Sequence, residues 1–211
     1  MDFYKLCADY GVVPVVVLER TADAIPTAKA LLAGNIHVME ITMRTGAAMD
    51  SIRLVHENCP EMVVGAGTVL TPDQAKSCVA AGAEFIVSPG YNEELVDWCL
   101  HEGVPILPGC VTPTELMRGI LSGLTVFKFF PANIYGGRSA MKALSGPFGN
   151  IKFIPTGGVN AENLKEYLEA PYVLAAGGSW LCSRADISAG RFREIASLAA
   201  QASAIARNCK K

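Results

Sequence analysis

Several features that would place this chain in a common functional class are missing from its sequence. No basic run precedes the terminal Lys210-Lys211 and the formal net charge is -2, so nucleic acid is not an expected partner. No apolar stretch is long enough to span a bilayer. Residues 1–5 lack the charged-then-apolar order of a signal peptide. We therefore expect a cytoplasmic protein that binds neither nucleic acid nor membrane.

Signatures of metal sites and disulfides are also missing. The 7 cysteines are odd in number and form no CxxC pair, which indicates a reducing compartment, and most of them are expected to be small apolar packing residues. His37, His56 and His101 are scattered and show no zinc-ligand spacing. His56 and Cys59 are close in sequence, but segment 57–60 has the composition of a helix end and loop. We expect no metal and no cofactor.

The sequence alternates apolar, strand-like runs with amphipathic segments of helical period. With 211 residues, 51% apolar and 18% charged, the chain suits one globular domain over 1–211. Eight strands, each followed by a helix, predict an α/β fold of the closed (β/α)8 TIM-barrel type. The predicted strands are 12–18, 38–43, 62–68, 85–88, 105–108, 126–130, 152–155 and 173–176. The predicted helices are 21–33, 47–57, 72–81, 92–101, 113–121, 139–144, 161–168 and 190–207.

Glycines and polar residues cluster directly after the predicted strands. Thr71, Thr112 and Asn160 are expected to cap helices that begin beyond such loops. In a barrel these loops converge on the carboxyl-terminal face, where the active site lies. The clusters are Arg44-Thr45, Gly67-Thr68, Pro89-Gly90, Pro108-Gly109, Pro131-Ala132, Thr156-Gly157-Gly158 and Gly177-Gly178-Ser179.

Lys128 is the most informative residue, because it lies in the most apolar of the predicted strands. Burial disfavours the charged form of an amine, and a neutral amine is the nucleophile that forms Schiff bases with carbonyl substrates. The alternative is a structural lysine whose stem packs while its ammonium group reaches the surface. Polar residues on another predicted strand favour the catalytic interpretation.

That other strand, residues 38–43, and the residue after it have polar side chains on one face. Side chains alternate along a strand, so Glu40, Thr42 and Arg44 share one face while apolar residues occupy the other. A carboxylate and a guanidinium inside an otherwise apolar chain need partners or a ligand. A surface strand with a solvated ion pair is the alternative, and the apolar opposite face argues against it.

Two glycine pairs stand near the ends of the last two predicted strands. Gly157-Gly158 follows strand seven, and Gly177-Gly178 with Ser179 follows strand eight. Glycines let backbone N–H groups approach an anion, and loops after strands seven and eight are the usual phosphate site of this barrel. One pair alone would equally indicate a tight turn, but two pairs at these positions predict a phosphate site. We expect a side chain added at Gly158 to block the anion.

Eight segments match one family pattern in their order and spacing: 13–15, 40–45, 65–70, 87–90, 108–115, 128–132, 155–159 and 177–180. On these segments the chain resembles the 2-keto-3-deoxy-6-phosphogluconate and 4-hydroxy-2-oxoglutarate (KDPG/KHG) aldolase family over nearly its whole length. The resemblance implies a homotrimeric class I aldolase without a cofactor. Such an enzyme reversibly cleaves KDPG to pyruvate and D-glyceraldehyde 3-phosphate, with 4-hydroxy-2-oxoglutarate as a further candidate substrate.

The resemblance also implies roles for individual residues. Lys128 would form the imine, and Glu40 would be the general acid/base. The implied substrate-binding set is Arg44 and Thr68 for the carboxylate, Phe130 at the pyruvyl end, Gly157, Gly158 and Ser179 for the phosphate, and Pro89 and Gly178 beside them. Cys110 and Asn133 depart from the family pattern, which leaves the preferred configuration at C4 of the substrate open.

Three alternatives remain at this point. One is an aldolase for 2-keto-3-deoxy-6-phosphogalactonate, and another is a phosphosugar isomerase or epimerase on the same barrel. Isomerases and epimerases of that kind move protons with carboxylates or cysteine and need no imine-forming lysine. The third is a non-catalytic ligand-binding barrel, which would have no use for both Lys128 and Glu40.

Overall fold

The computed structural model describes residues 2–209, in which 8 strands alternate with 10 α-helices. The strands are β1 Val12–Val16, β2 Val38–Thr42, β3 Val63–Gly67, β4 Ile86–Val87, β5 Ile106–Leu107, β6 Val126–Phe129, β7 Lys152–Pro155 and β8 Ala176–Gly178. The helices are α1 Phe3–Tyr10, α2 Ala24–Ala33, α3 Ala48–Asn58, α4 Pro72–Ala80, α5 Glu93–His101, α6 Pro113–Leu121, α7 Gly137–Ser145, α8 Leu164–Leu168, α9 Arg184–Ser188 and α10 Phe192–Cys209.

The strands are joined in parallel, in two hydrogen-bonded sheets. Six strands lie in the order β5-β4-β3-β2-β1-β8, and β6 pairs with β7. Single parallel bridges connect Gly109 with Lys128 and Thr156 with Gly177. Every residue of β1 and β2 is buried, as expected for parallel strands covered on both faces. The predicted α/β class with a parallel sheet is therefore confirmed.

Helix caps fix where the chain turns away from the strand ends. Thr71 caps α4 by accepting a hydrogen bond from the Gln74 N–H group at 3.3 Å. Thr112 caps α6 in a reciprocal capping box with Glu115. Asn160 accepts from the backbone N–H groups of the next turn, but α8 begins only at Leu164. Two of the three predicted caps therefore open regular helices directly, and the third opens a turn before its helix.

The helices α1 and α9 were not predicted from the sequence. Asp2 caps α1 by accepting from the Lys5 N–H group, and the helix buries Phe3 and Cys7. The Phe3 ring stacks on Phe85 with centroids 4.2 Å apart. The sequence signal for α1 is a cap followed by apolar residues four positions apart. This signal is easily missed because the helix has only 8 residues.

Strand β8 lies later in the chain than the predicted segment 173–176. It pairs with β1 in parallel register and contains both glycines. A Cβ atom at Gly177 would lie 2.1 Å from Oγ1 of Thr156, so glycine is required by close packing of the strands. The prediction that Gly177 and Gly178 follow strand eight is wrong, because only Ser179 follows it.

Most of the cysteines are packing residues, as predicted, since 6 of the 7 are buried. Burial raises the pKa of the Cys7 and Cys99 thiols to about 12. Across residues 2–209, none of the helices has the length and apolarity needed to cross a membrane. The same part of the chain brings no three His, Cys, Asp or Glu side chains together as a potential metal site.

Candidate active site

Lys128 and Glu40 meet inside the fold, although they are 88 residues apart in sequence. Lys128 Nζ donates a hydrogen bond to Glu40 Oε1 at 3.4 Å, and the side chains are 4% and 3% exposed. Their strands, β6 and β2, are not paired with each other, so the contact crosses the space between strands. An ion pair this deeply buried is costly to desolvate, which makes a purely stabilising role a weak explanation for it.

The alternation of side chains along β6 directs Lys128 inward. All four residues of β6 are buried. Phe127 points toward α6, where a Cβ atom at Gly119 would lie 2.3 Å from its ring. Lys128 therefore faces the opposite side, and its Nζ lies 5.4 Å from the centroid of the Phe130 ring. Phe130 is half-buried directly after the strand, in a position to cover one side of a molecule bound at the amine.

Gly67 provides the space that the Glu40 carboxylate occupies. A Cβ atom at Gly67 would lie 1.9 Å from Glu40 Oε1 and 2.5 Å from its carboxyl carbon. In the parallel register of β2 and β3, Gly67 stands opposite Thr42, so the Glu40 side chain leans toward the carboxyl ends of the strands. From the sequence, Gly67 is one of the residues that cluster at the strand ends, and no role is predicted for it. The sequence signal that could have indicated this role is a glycine, which leaves space, on the strand next to the one that carries Glu40.

Changing Gly67 to alanine should therefore damage activity without straining the backbone. The new methyl group would push the carboxylate away from Lys128, and a misplacement of about 1 Å can cost roughly a hundredfold in rate. We expect kcat to fall by about that factor in Gly67→Ala, with the thermal unfolding midpoint used to confirm the fold. Gly46→Ala is the matched control, since nothing lies within 4 Å of a Cβ atom there. Equal kcat values for the two variants would contradict this placement of Glu40.

Arg44 and Thr68 form a second polar pair beside the first. Arg44 Nε donates to Thr68 Oγ1 at 3.0 Å, and Thr68 directly follows Gly67. Thr68 has a positive φ of 58°, which is uncommon for a β-branched residue. The terminal guanidinium nitrogens of Arg44 have no partner among residues 2–209 and lie toward solvent. They are free to bind a carboxylate through two parallel hydrogen bonds.

The loop after β7 contains two glycines in the left-handed region. Gly157 has a φ of 95° and Gly158 a φ of 79°, which a side chain would disfavour. A Cβ atom at Gly158 would also lie 2.5 Å from Cβ of Asn133. The Asn133 N–H group donates to the Gly157 carbonyl at 3.2 Å. The loop is thus held against the segment that follows β6. The Asn133 side chain occupies the space that a side chain at Gly158 would need.

The remaining predicted binding residues lie at the same ends of the strands. Ser179 is exposed directly after β8, and its hydroxyl group has no partner in the described part of the chain. Gly178 is buried within β8, where a Cβ atom would lie 2.9 Å from Cγ1 of Val12. Pro89 is half-buried after β4, and its carbonyl group packs on Gly109. Gly178 and Pro89 therefore pack closely against neighbouring strand ends, and their contact with substrate stays a prediction.

Cys110 is tied by its backbone to the strand that carries Lys128. Its N–H group donates to the Lys128 carbonyl at 2.9 Å. Burial raises the pKa of the Cys110 thiol to about 12, so the thiol stays protonated near neutral pH. This speaks against proton transfer by a cysteine thiolate, which one form of the isomerase alternative would require.

Comparison with known proteins agrees with this geometry. The sequence pattern of the family described as KDPG and KHG aldolase matches residues 4–198. The chain belongs to this family. The 2-dehydro-3-deoxy-phosphogluconate aldolase of Treponema pallidum is 47% identical over 190 residues, which cover 90% of each chain. The KHG/KDPG aldolase of Escherichia coli K12 is 45% identical over 191 residues, again covering 90% of each chain.

A solved aldolase structure shows the same fold. The KDPG aldolase of Legionella pneumophila, with pyruvate captured at low pH as a covalent carbinolamine intermediate, superposes on this family member with a TM-score of 0.92. The two chains are 42% identical, and the match covers 95% of this chain and 97% of the other. A carbinolamine joins an amine to a carbonyl carbon, which is the chemistry expected of a buried, reactive lysine.

Proposed function

We propose that this aldolase cleaves KDPG reversibly to pyruvate and D-glyceraldehyde 3-phosphate through a Schiff base on Lys128. The observation that carries the proposal is the buried contact of 3.4 Å between Lys128 Nζ and Glu40 Oε1. It places a nucleophile beside a group that can take and return its proton. Membership of the KDPG and KHG aldolase family supports the same reaction, and 4-hydroxy-2-oxoglutarate is the second substrate we expect.

We infer that the eight strands close into a (β/α)8 barrel that forms one domain over 1–211. The bridges between Gly109 and Lys128 and between Thr156 and Gly177 support closure, because they connect the strand pair β6-β7 to both ends of the six-stranded sheet. Residues 1, 210 and 211 of that span lie outside the described part of the chain. Closure would bring the carboxyl ends of all strands around Lys128 and Glu40.

The first half of the reaction builds the electron sink. The Lys128 ammonium group gives one proton to Glu40 across their hydrogen bond, and the neutral amine attacks the C2 ketone of the substrate. The product is a carbinolamine. Glu40 then protonates the departing hydroxyl group, which leaves as water. A cationic imine remains on Lys128, and Glu40 is again a carboxylate.

The second half breaks the carbon–carbon bond. Glu40, directly or through a water molecule, takes the proton of the C4 hydroxyl group. The electrons of the C3–C4 bond move into the imine, which gives an enamine of pyruvate and releases glyceraldehyde 3-phosphate. Glu40 returns the proton to C3 of the enamine. Water then hydrolyses the cationic imine, which releases pyruvate and restores the Lys128 ammonium group beside the Glu40 carboxylate.

Binding groups hold the two ends of the substrate. The free guanidinium nitrogens of Arg44, with the Thr68 hydroxyl group beside them, would bind the C1 carboxylate. Phe130 would cover the pyruvyl portion. The Gly157-Gly158 loop and Ser179 would bind the 6-phosphate, whose binding energy helps to position the C3–C4 bond.

The phosphate assignment is best tested at Ser179. The structure makes Gly158 a poor probe, because a side chain there would strain the backbone and meet Asn133. Ser179→Ala removes one hydrogen bond to a charged group, a loss of roughly tenfold to a hundredfold. We expect kcat/KM for KDPG to fall by that factor and kcat/KM for 4-hydroxy-2-oxoglutarate, which carries no phosphate, to stay unchanged. An equal loss for both substrates would place the phosphate elsewhere.

Chelation should leave the activity intact. In the proposed reaction the cationic imine on Lys128 accepts the electrons, so no step calls for a Lewis acid. We expect the initial rate of KDPG cleavage to be the same before and after prolonged incubation with EDTA. A loss that Zn²⁺ or Mg²⁺ restores would contradict a class I mechanism.

A panel of substrates tests the proposed function as a whole. We expect pyruvate release, measured by a coupled assay, from KDPG first and from 4-hydroxy-2-oxoglutarate more slowly. Preferred cleavage of 2-keto-3-deoxy-6-phosphogalactonate would show that the enzyme prefers the other configuration at C4 of the substrate. Conversion of phosphosugars without pyruvate release would favour an isomerase, and binding without turnover would favour a ligand-binding barrel. The family also leads us to propose a cytoplasmic homotrimer, which light scattering coupled to size-exclusion chromatography can test.

A further inference from the structure

Thr42 has a buried hydroxyl group for which the fold offers no partner. The residue is 0% exposed, and its Oγ1 makes no hydrogen bond to any of the residues 2–209. Other fully buried hydroxyl groups are satisfied locally: Thr27 Oγ1 and Ser51 Oγ each donate at 2.7 Å to the carbonyl group four residues earlier. Proteins rarely leave such a group unpaired, and an exception calls for an explanation.

The orphan hydroxyl group lies next to the Glu40 carboxylate. Thr42 and Glu40 occupy the same face of β2, two residues apart. Thr42 stands opposite Gly67 in the parallel register, and Glu40 Oε1 lies 1.9 Å from where a Cβ atom of Gly67 would be. Neighbouring strands are about 4.8 Å apart, so the carboxylate and the Thr42 side chain are neighbours on this face of the sheet. Valine would fill the same volume, and only the hydroxyl group distinguishes threonine here.

The reaction itself creates a need for a second donor. In the free protein the Glu40 carboxylate is held by the Lys128 ammonium group. Once Lys128 has formed the imine, its nitrogen carries fewer hydrogens and is fixed by the bond to the substrate. The carboxylate must then be aimed at the C4 hydroxyl group and later at C3 without its original partner.

We propose that Thr42 is a positioning residue, whose hydroxyl group becomes the hydrogen-bond donor to Glu40 after Lys128 has formed the imine. The inference rests on the proposed function, because it assigns Thr42 a role within that mechanism. Imine formation needs no help from Thr42. The steps in which Glu40 moves protons to and from carbon and the C4 oxygen do need it.

Two measurements with pyruvate separate these steps in wild type, Thr42→Val, Thr42→Ala and Thr42→Ser. Borohydride trapping reports imine formation, and NMR detection of deuterium entering the methyl group of pyruvate reports proton transfer at carbon. We expect all variants to trap the adduct as wild type does. We expect Thr42→Val and Thr42→Ala to slow the exchange, and kcat for KDPG, roughly tenfold to a hundredfold, while Thr42→Ser retains both.

Stability distinguishes positioning from a structural role. Removal of an unpaired buried hydroxyl group should leave the thermal unfolding midpoint of Thr42→Val equal to or above that of wild type. Slow exchange in a variant that is at least as stable supports the inference, and Thr42→Ala provides the same comparison if the valine variant fails to fold. Exchange at the wild-type rate in Thr42→Val or Thr42→Ala would overturn it. An absence of adduct in wild type would instead overturn the aldolase proposal.

Discussion

Replacement of Lys128 by methionine should abolish KDPG cleavage. Methionine fills a similar volume in β6 but cannot form an imine, so the electrons of the C3–C4 bond have no acceptor. We expect kcat to fall by more than the factor of about 10⁴ that a general acid or base alone supplies at most, as measured by pyruvate release. Lys76→Met is a matched control, because Lys76 is exposed on α4, where it pairs with Asp73.

The same substitution should also lower the free energy of unfolding, so stability has to be measured beside activity. Loss of Lys128 leaves the Glu40 carboxylate buried without its partner, and breaking a buried pair costs about 3–5 kcal/mol. The double variant Lys128→Met/Glu40→Gln removes both charges and should recover much of the unfolding free energy while remaining inactive. A Lys128→Met protein that still releases pyruvate at a substantial rate would show that the nucleophile has been assigned to the wrong lysine.

The second large effect is expected at Glu40. Glutamine keeps the shape and a hydrogen-bond acceptor for Lys128, but it cannot take a proton from the C4 hydroxyl group. General acid/base groups supply about 10²–10⁴-fold in rate, so kcat for Glu40→Gln should fall by that range with little change in KM. Glu57→Gln, on the exposed side of α3, is the control. A normal kcat with a raised KM would mean that Glu40 binds substrate instead of moving protons.

Most of the strands could be predicted from the sequence because their apolar runs are bounded by glycine, proline and polar residues. The pattern failed at β8, where Gly177 and Gly178 are strand residues. Glycines after an apolar run normally indicate a loop, and only the closeness of Thr156 to Gly177 explains why glycine is needed inside this strand. That closeness is a tertiary contact, and no local pattern contains it.

The candidate site, too, could be predicted from the sequence only in part. Alternation along β2 and the apolar character of β6 were sufficient to single out Glu40 and Lys128 as groups facing the interior. Their direct contact, and the bend of Glu40 over Gly67, depend on how separate strands pack and on side-chain rotamers. The same holds for Asn133 in front of Gly158 and for the unpaired hydroxyl group of Thr42.

Reductive trapping is the most direct test of the account, because it identifies the atom that bonds to the substrate. The protein is incubated with pyruvate, reduced with borohydride and analysed by intact mass and peptide mapping. We expect one reduced pyruvyl group per chain, located on Lys128, and none in the Lys128→Met variant. A modification on a different lysine, or no modification of the folded wild-type protein, would contradict the central claim that Lys128 is the Schiff-base nucleophile.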